Sequence, residues 1–249
     1  MPSMSFLEHL EELRTRIFHS VVAIAIGMLG SWFIRERLVT FMTKPIIEVL
    51  KRDGQPEKLV YLNPTEPFNL YLKICALAGL FITSPYVLYQ VWLFISPGLY
   101  RKEKKYVVPF MSATVFLFGA GAFFGYYWVL PGAIKVLILD FGKNFNHMIT
   151  IDDYTGFFLS VILGLGICFE LPILIFFLAL FDIVDAKFLL RHFRYAVLVI
   201  FVVAAIICPM PDPFSMCLFA SPMLALYFIG VGIAYYFDRA RKKTKAATA

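Results

Sequence analysis

No Cys-x-x-Cys pair, no His-Glu-x-x-His and no glycine-rich phosphate loop occurs in this sequence, which excludes the commonest zinc sites and direct use of ATP. Cysteine and histidine are scarce, with four of each. Cys75, Cys168, Cys208 and Cys217 fall within or at the ends of apolar stretches, where a thiol is a small packing residue. His9, His19, His147 and His192 form no ligand pair at helical spacing. Intramembrane proteolysis also lacks its parts, because Ser160 has no buried histidine to serve as base and Glu170 is the lone mid-span acid. No segment repeats another, and low complexity is confined to a basic tail. Charge is thin as well, at 16% of residues, where a soluble domain has about 25%.

What fills the chain is apolar: 60% of its 249 residues are hydrophobic and 17% aromatic, against roughly 45–50% apolar in a soluble domain. These residues form long blocks at Ile17 to Ile34, Leu70 to Ile95, Tyr106 to Leu130, Tyr154 to Phe181, Tyr195 to Cys208 and Cys217 to Phe237. Roughly 20 apolar residues cross a hydrocarbon core of about 30 Å. Five blocks reach that length; the fifth in order, at 14 residues, needs extension past Pro209 or a locally thinned bilayer. It turns into the sixth through Cys208-Pro209-Met210-Pro211-Asp212-Pro213, a rigid tip. The expectation is an all-α integral membrane protein of six transmembrane helices, the last two a short hairpin, with a cupped, concave architecture.

The first apolar block follows an acidic segment rather than a basic one and has no small-residue cleavage site, so the N-terminus is expected to be retained. Lysine and arginine set the orientation. Two precede Ile17, four lie in Ser96 to Lys105, three in Asp182 to Arg194 and five follow Phe237, fourteen of the 23 in all. The other side holds six between Arg35 and Glu66, diluted by five acids, and two between Pro131 and Asp153. Both termini are therefore expected in the cytoplasm. A single membrane domain over 1–249 follows: an N-terminal helix over 1–16, a six-helix region over 17–237 with outer loops at 35–69 and 131–153, and a basic tail over 238–249. Lys73, inside the second span, can snorkel to the interface.

Three groups of polar residues stand out against this background. The segment Ser5 to Arg16 begins with capping-box spacing at Ser5 and Glu8 and places Glu8, Glu12 and Arg16 on one helical face. That face is either a solvated side of an interfacial helix or a carboxylate site for a basic ligand. Glu103 is the one acid among Arg101, Lys102, Lys104 and Lys105; it is an ion-pair partner for its neighbours or an acceptor for a guanidinium, whose fork fits two carboxylate oxygens. Glu170 stands mid-span before Pro172, so it must be protonated, paired or facing a hydrated hollow. It either bonds a neighbouring helix or forms a functional polar site.

These segments carry a resemblance. His9-Leu10-Glu11-Glu12-Leu13-Arg14-Thr15-Arg16, Tyr89 to Tyr100, Glu103 with Val107-Val108-Pro109, Phe169-Glu170-Leu171-Pro172 and Pro211-Asp212-Pro213-Phe214-Ser215 resemble, in order, the TatC family of twin-arginine export receptors. Met210 departs from that pattern, which has a second proline there. The resemblance implies that Glu12 and Glu103, with Arg14 beside them and Phe94, Leu99, Tyr100 and Arg101 around them, bind the paired arginines of a signal peptide. It further implies that Pro67 and Phe68 belong to a periplasmic cap, Glu170 to a polar site or partner contact, and Asp212 to the periplasmic hairpin. The partners implied are twin-arginine signal peptides of folded cargo, single-span subunits of the TatA and TatB types, further copies of the chain and membrane lipid, with no nucleic acid. The resemblance implies no cofactor, no metal and no enzymatic chemistry, a bacterial inner-membrane location, and transport driven by the proton-motive force. A secondary transporter or channel with Glu170 as its ion or proton site is the alternative.

Overall fold

A computed structural model describes the backbone over residues 6–52, 59–95, 107–142, 148–180, 183–208 and 213–247. The described elements are helices: α1 (Phe6–Trp32), α2 (Arg35–Arg52), α3 (Glu66–Ile95), α4 (Val107–Phe124), α5 (Leu130–Lys135), α6 (Ile151–Cys168), α7 (Leu171–Leu180), α8 (Ala186–Arg191), α9 (Phe193–Ile207) and α10 (Pro213–Ala247). Two compact units divide them, Met1–Phe116 with Met148–Thr155 and Leu117–His147 with Gly156–Ala249.

In the first unit α1 runs unbroken through residue 16, because neither glycine nor proline separates the charged turns from the apolar ones. The expected N-terminal helix and first span are thus one element; Ser5, the expected cap, lies outside the described residues. α1 packs on α3 through two glycines. A methyl group on Gly27 would sit 2.8 Å from the Gly79 carbonyl oxygen, and one on Gly79 would strike the Met28 backbone nitrogen. Small residues at such a crossing let the backbones approach, and close packing is a main source of helix association in lipid. The hydroxyls of Ser31 and Thr83 donate back to the carbonyls of Gly27 and Gly79, each at 2.8 Å, so the contact leaves no side-chain donor bare there.

The connection over 35–69, expected to be a loop, contains α2. Met42, Pro45, Ile46, Val49 and Leu50 form its buried stripe, while Arg37, Lys44 and Lys51 are exposed. Tyr154 fastens this helix by donating its hydroxyl to the Met42 carbonyl at 2.6 Å. Val60 and Thr150 form an isolated parallel bridge, and Lys73 pairs with Asp152 at 2.6 Å. Both side chains are exposed, so the Lys73 ammonium reaches out of its apolar helix to a carboxylate partner.

In the second unit, the third apolar block continues past its expected end at Leu130. A π-helical turn over Gly125–Val129, α5 and a second π turn over Val136–Phe141 extend it. The backbone of α6 comes close to it, since a methyl on Gly121 would lie 2.5 Å from the Leu165 carbonyl oxygen, and just past the end of α6 Phe169 meets Phe124 at 5.9 Å between ring centroids. α10 lies against α7, with Ile175 seated over Gly230. Tyr227 ties α10 to α8 by donating to the Leu189 carbonyl at 2.8 Å.

Five stretches are long and apolar enough to cross a bilayer: Leu7–Trp32, Glu66–Phe94, Met111–Leu139, Ile151–Leu180 and Pro213–Tyr236. α9, with 15 residues, reaches only about 22 Å at 1.5 Å per residue, short of a full span as its sequence suggests. The expectation that both members of the last hairpin are short fails for α10. This helix has 35 residues and passes Pro222 without ending, starting at Pro213, where a proline is favoured in the first turn.

Candidate functional site

The acidic face of α1 is built around one ion pair. Glu12 and Arg16 stand one turn apart with the carboxylate on the N-terminal side, the better order for this spacing. Arg16 Nη2 donates to Glu12 Oε1 at 3.2 Å, and Arg16 Nη1 donates to the side-chain oxygen of Gln90 on α3, also at 3.2 Å. Gln90 is 4% exposed. It is therefore a fixed acceptor that holds the guanidinium against α3. The Glu12 side chain is 17% exposed. Its second oxygen, Oε2, is buried and has no hydrogen-bond partner among the described residues; the same holds for Arg16 Nε. A buried carboxylate oxygen without a donor is costly unless something supplies one.

His9, one turn before Glu12, stacks on Phe94 with ring centroids 4.4 Å apart and planes 17° from parallel. The structure thus brings Phe94 and Glu12 to the same α1–α3 contact. Arg14 is exposed. Leu99, Tyr100, Arg101 and Glu103 lie outside the described residues.

Pro67 and Phe68 open α3, with Phe68 exposed and its ring 6.5 Å from that of Trp32, edge to face. The acid beside them, Glu66, is 8% exposed. It accepts from the backbone N–H of Leu62 and Asn63 and from the Asn63 side chain at 3.1–3.3 Å. It closes the turn that leads into α3.

Glu170 occupies the break between α6 and α7. The Phe169 and Glu170 amides still bond back to Leu165 and Ile167, and the helix restarts at Leu171 with Pro172 in its first turn. A proline there removes a donor that a continuous helix would need, so the interruption falls where the sequence places it. Glu170 Oε1 is buried with no hydrogen-bond partner among the described residues. Asp212 lies outside the described residues. No group of three or more His, Cys, Asp or Glu among the described residues could hold a metal ion.

A family model described as Sec-independent protein translocase protein (TatC) matches residues 8–222. The chain belongs to the TatC family. Relatives named Sec-independent protein translocase protein TatC include that of Koribacter versatilis (strain Ellin345), 54% identical over 248 residues, covering 99% of this chain and 91% of the relative. That of Campylobacter jejuni is 39% identical over 236 residues and covers 94% of this chain and 95% of its own. A crystal structure of the twin-arginine translocase receptor TatC aligns with a TM-score of 0.80 at 35% identity, over 91% of this chain and 98% of that one. A second, solved in the detergent DDM, gives 0.81. As a TatC protein this chain is an all-helical, multi-pass membrane component of a translocase, and not an enzyme. Sequence reasoning missed Gln90, His9 and Glu66. Gln90 was within reach: an amide inside an apolar span calls for a partner, by the rule that singled out Glu170.

Proposed function

We propose that this chain is the receptor and assembly core of twin-arginine export in a bacterial inner membrane, with both termini in the cytoplasm. Its Glu12 carboxylate, with Glu103, receives the paired arginines of a signal peptide; Arg14, Phe94, Leu99, Tyr100 and Arg101 surround that site. The observation that carries the reading is Glu12 itself, largely sequestered, with one oxygen already on a guanidinium and the other without a partner among the described residues. Each charge-assisted bond from a peptide arginine contributes about 1.5–3 kcal/mol in good geometry. Lysine cannot reproduce the fork, which gives the arginine requirement a chemical basis.

Glu170 is read as the polar contact for a single-span partner, since a lone polar group at a helix break is satisfied by a side chain from another helix. Subunits of the TatA and TatB types are the partners proposed, docking along the last hairpin with Asp212 at its outer tip and Pro67 and Phe68 in the cap. Several copies assemble, and the proton-motive force drives passage. The dense basic runs at Arg101 to Lys105 and Arg239 to Lys245 support the orientation. Membership of a translocase family supports a partner contact at Glu170 over the transporter alternative.

The test is the affinity of a fluorescent twin-arginine signal peptide for the full chain in nanodiscs. Glu12→Ala and Glu103→Ala are each expected to weaken binding by about tenfold or more, and a twin-lysine peptide to bind the wild type more weakly. Wild-type affinity in both variants, with the protein folded, overturns the assignment of the site.

A further inference from the structure

Glu12 is not vacant in the resting protein. Arg16 holds Oε1 through a single donor at 3.2 Å, and its other terminal nitrogen is held by Gln90. This is a poor contact by the standards of its class. Paired charges usually meet at about 2.7–2.9 Å and, for arginine, often through two parallel bonds. Here the pair is single and long, and it leaves Glu12 Oε2 and Arg16 Nε both buried without partners among the described residues.

We propose that Arg16 is a built-in competitor: its guanidinium occupies the Glu12 carboxylate when no peptide is bound, so every incoming cation must displace it and the affinity of the resting site is held down. The proposal rests on the reading of Glu12 as the signal-peptide site. An incoming cation gains only the difference between its own contact with Glu12 and the one Arg16 gives up. A lysine ammonium is a point donor and improves little on a single bond to Oε1. An arginine fork can take both oxygens, including the Oε2 that Arg16 leaves bare. Gln90 stays in place as an acceptor, so the displaced guanidinium keeps one of its two bonds. The cost of displacing Arg16 is the same whichever cation enters, so it lowers the affinity for both and cancels from their ratio, which the arginine fork alone sets. Without Arg16 the carboxylate is uncompensated and accepts either cation.

The experiment compares twin-arginine and twin-lysine signal peptides on the full chain in nanodiscs, with wild type, Arg16→Gln, Arg16→Met, Arg16→Lys and Glu12→Gln. Arg16→Gln and Arg16→Met are two neutral replacements of different polarity, so that one survives if the other misfolds. Each is expected to bind both the twin-arginine and the twin-lysine peptide about tenfold tighter than wild type, with the ratio between them unchanged. Arg16→Lys, which restores a competing charge, returns both affinities toward wild type. If both neutral variants bind the twin-arginine peptide with wild-type affinity or more weakly, Arg16 is only a structural strut and the proposal fails. Glu12→Gln separates that failure from a failure of the site. Weaker twin-arginine binding in Glu12→Gln alongside wild-type or weaker binding in the Arg16 variants sinks the competitor alone, whereas wild-type binding in Glu12→Gln sinks both.

Discussion

Glu66 and Glu170 are acids in otherwise apolar helices, and their surroundings give them opposite roles. Glu66 is enclosed by donors from Leu62 and Asn63, so its carboxylate holds the turn before α3. Replacing it with leucine strands two backbone N–H groups, each costing about 1–3 kcal/mol if buried. Glu170 has a buried oxygen with no donor among the described residues, so replacing it with leucine removes a burden. In thermal unfolding of the detergent-solubilised protein, Glu66→Leu is expected to lower the midpoint, while Glu170→Leu leaves it at or above wild type. Co-purification of single-span subunits then separates fold from function, since Glu170→Leu is expected to lose them without losing stability. A fall in midpoint for Glu170→Leu would make Glu170 a structural residue. Both acids are visible in the sequence, but only Glu170 could be singled out there. The donors around Glu66 come from a turn whose path is set by the fold.

The helix crossing that assembles the candidate site depends on glycine. Gly27 and Gly79 bring α1 and α3 so close that a side chain on either would meet backbone. That closeness is what lets Arg16 on α1 reach Gln90 on α3, and His9 reach Phe94. Gly79→Val is therefore expected to weaken signal-peptide binding by about tenfold or more and to lower the unfolding midpoint, although residue 79 touches no ligand. Unchanged binding would show that the two helices hold the site without this contact. The glycines are legible as letters but not as a contact, because around Gly27 and Gly79 both helices are apolar on every side and no face marks the partner. The break before α7, by contrast, is written in Pro172. The length of α10 was misjudged because apolar content marks where lipid ends, whereas the helix runs on into its basic tail.

For the molecule as a whole, the proposed orientation is open to direct test in cells. Cys75, Cys168 and Cys208 are buried and Cys217 is exposed, so the test needs a background with all four replaced. Lys44→Cys on α2 is expected to react with a membrane-impermeant thiol reagent in spheroplasts, and Thr244→Cys only after the membrane is opened. The reverse pattern overturns the topology. The sequence by itself determined that this is a helical membrane protein, because continuous apolar runs have only lipid as a compatible solvent and lipid permits only internally bonded backbone. It also carried the motifs of the TatC family, in order along the chain. Only the tertiary structure decided which of Glu12's oxygens is engaged and that the engaging group is Arg16 anchored by Gln90. A helical sequence fixes which residues share a face through its own 3.6-residue period, but contacts between residues 74 positions apart depend on how two apolar cylinders are set against each other. In lipid that choice rests on small-residue packing and a few polar bonds rather than on a hydrophobic face.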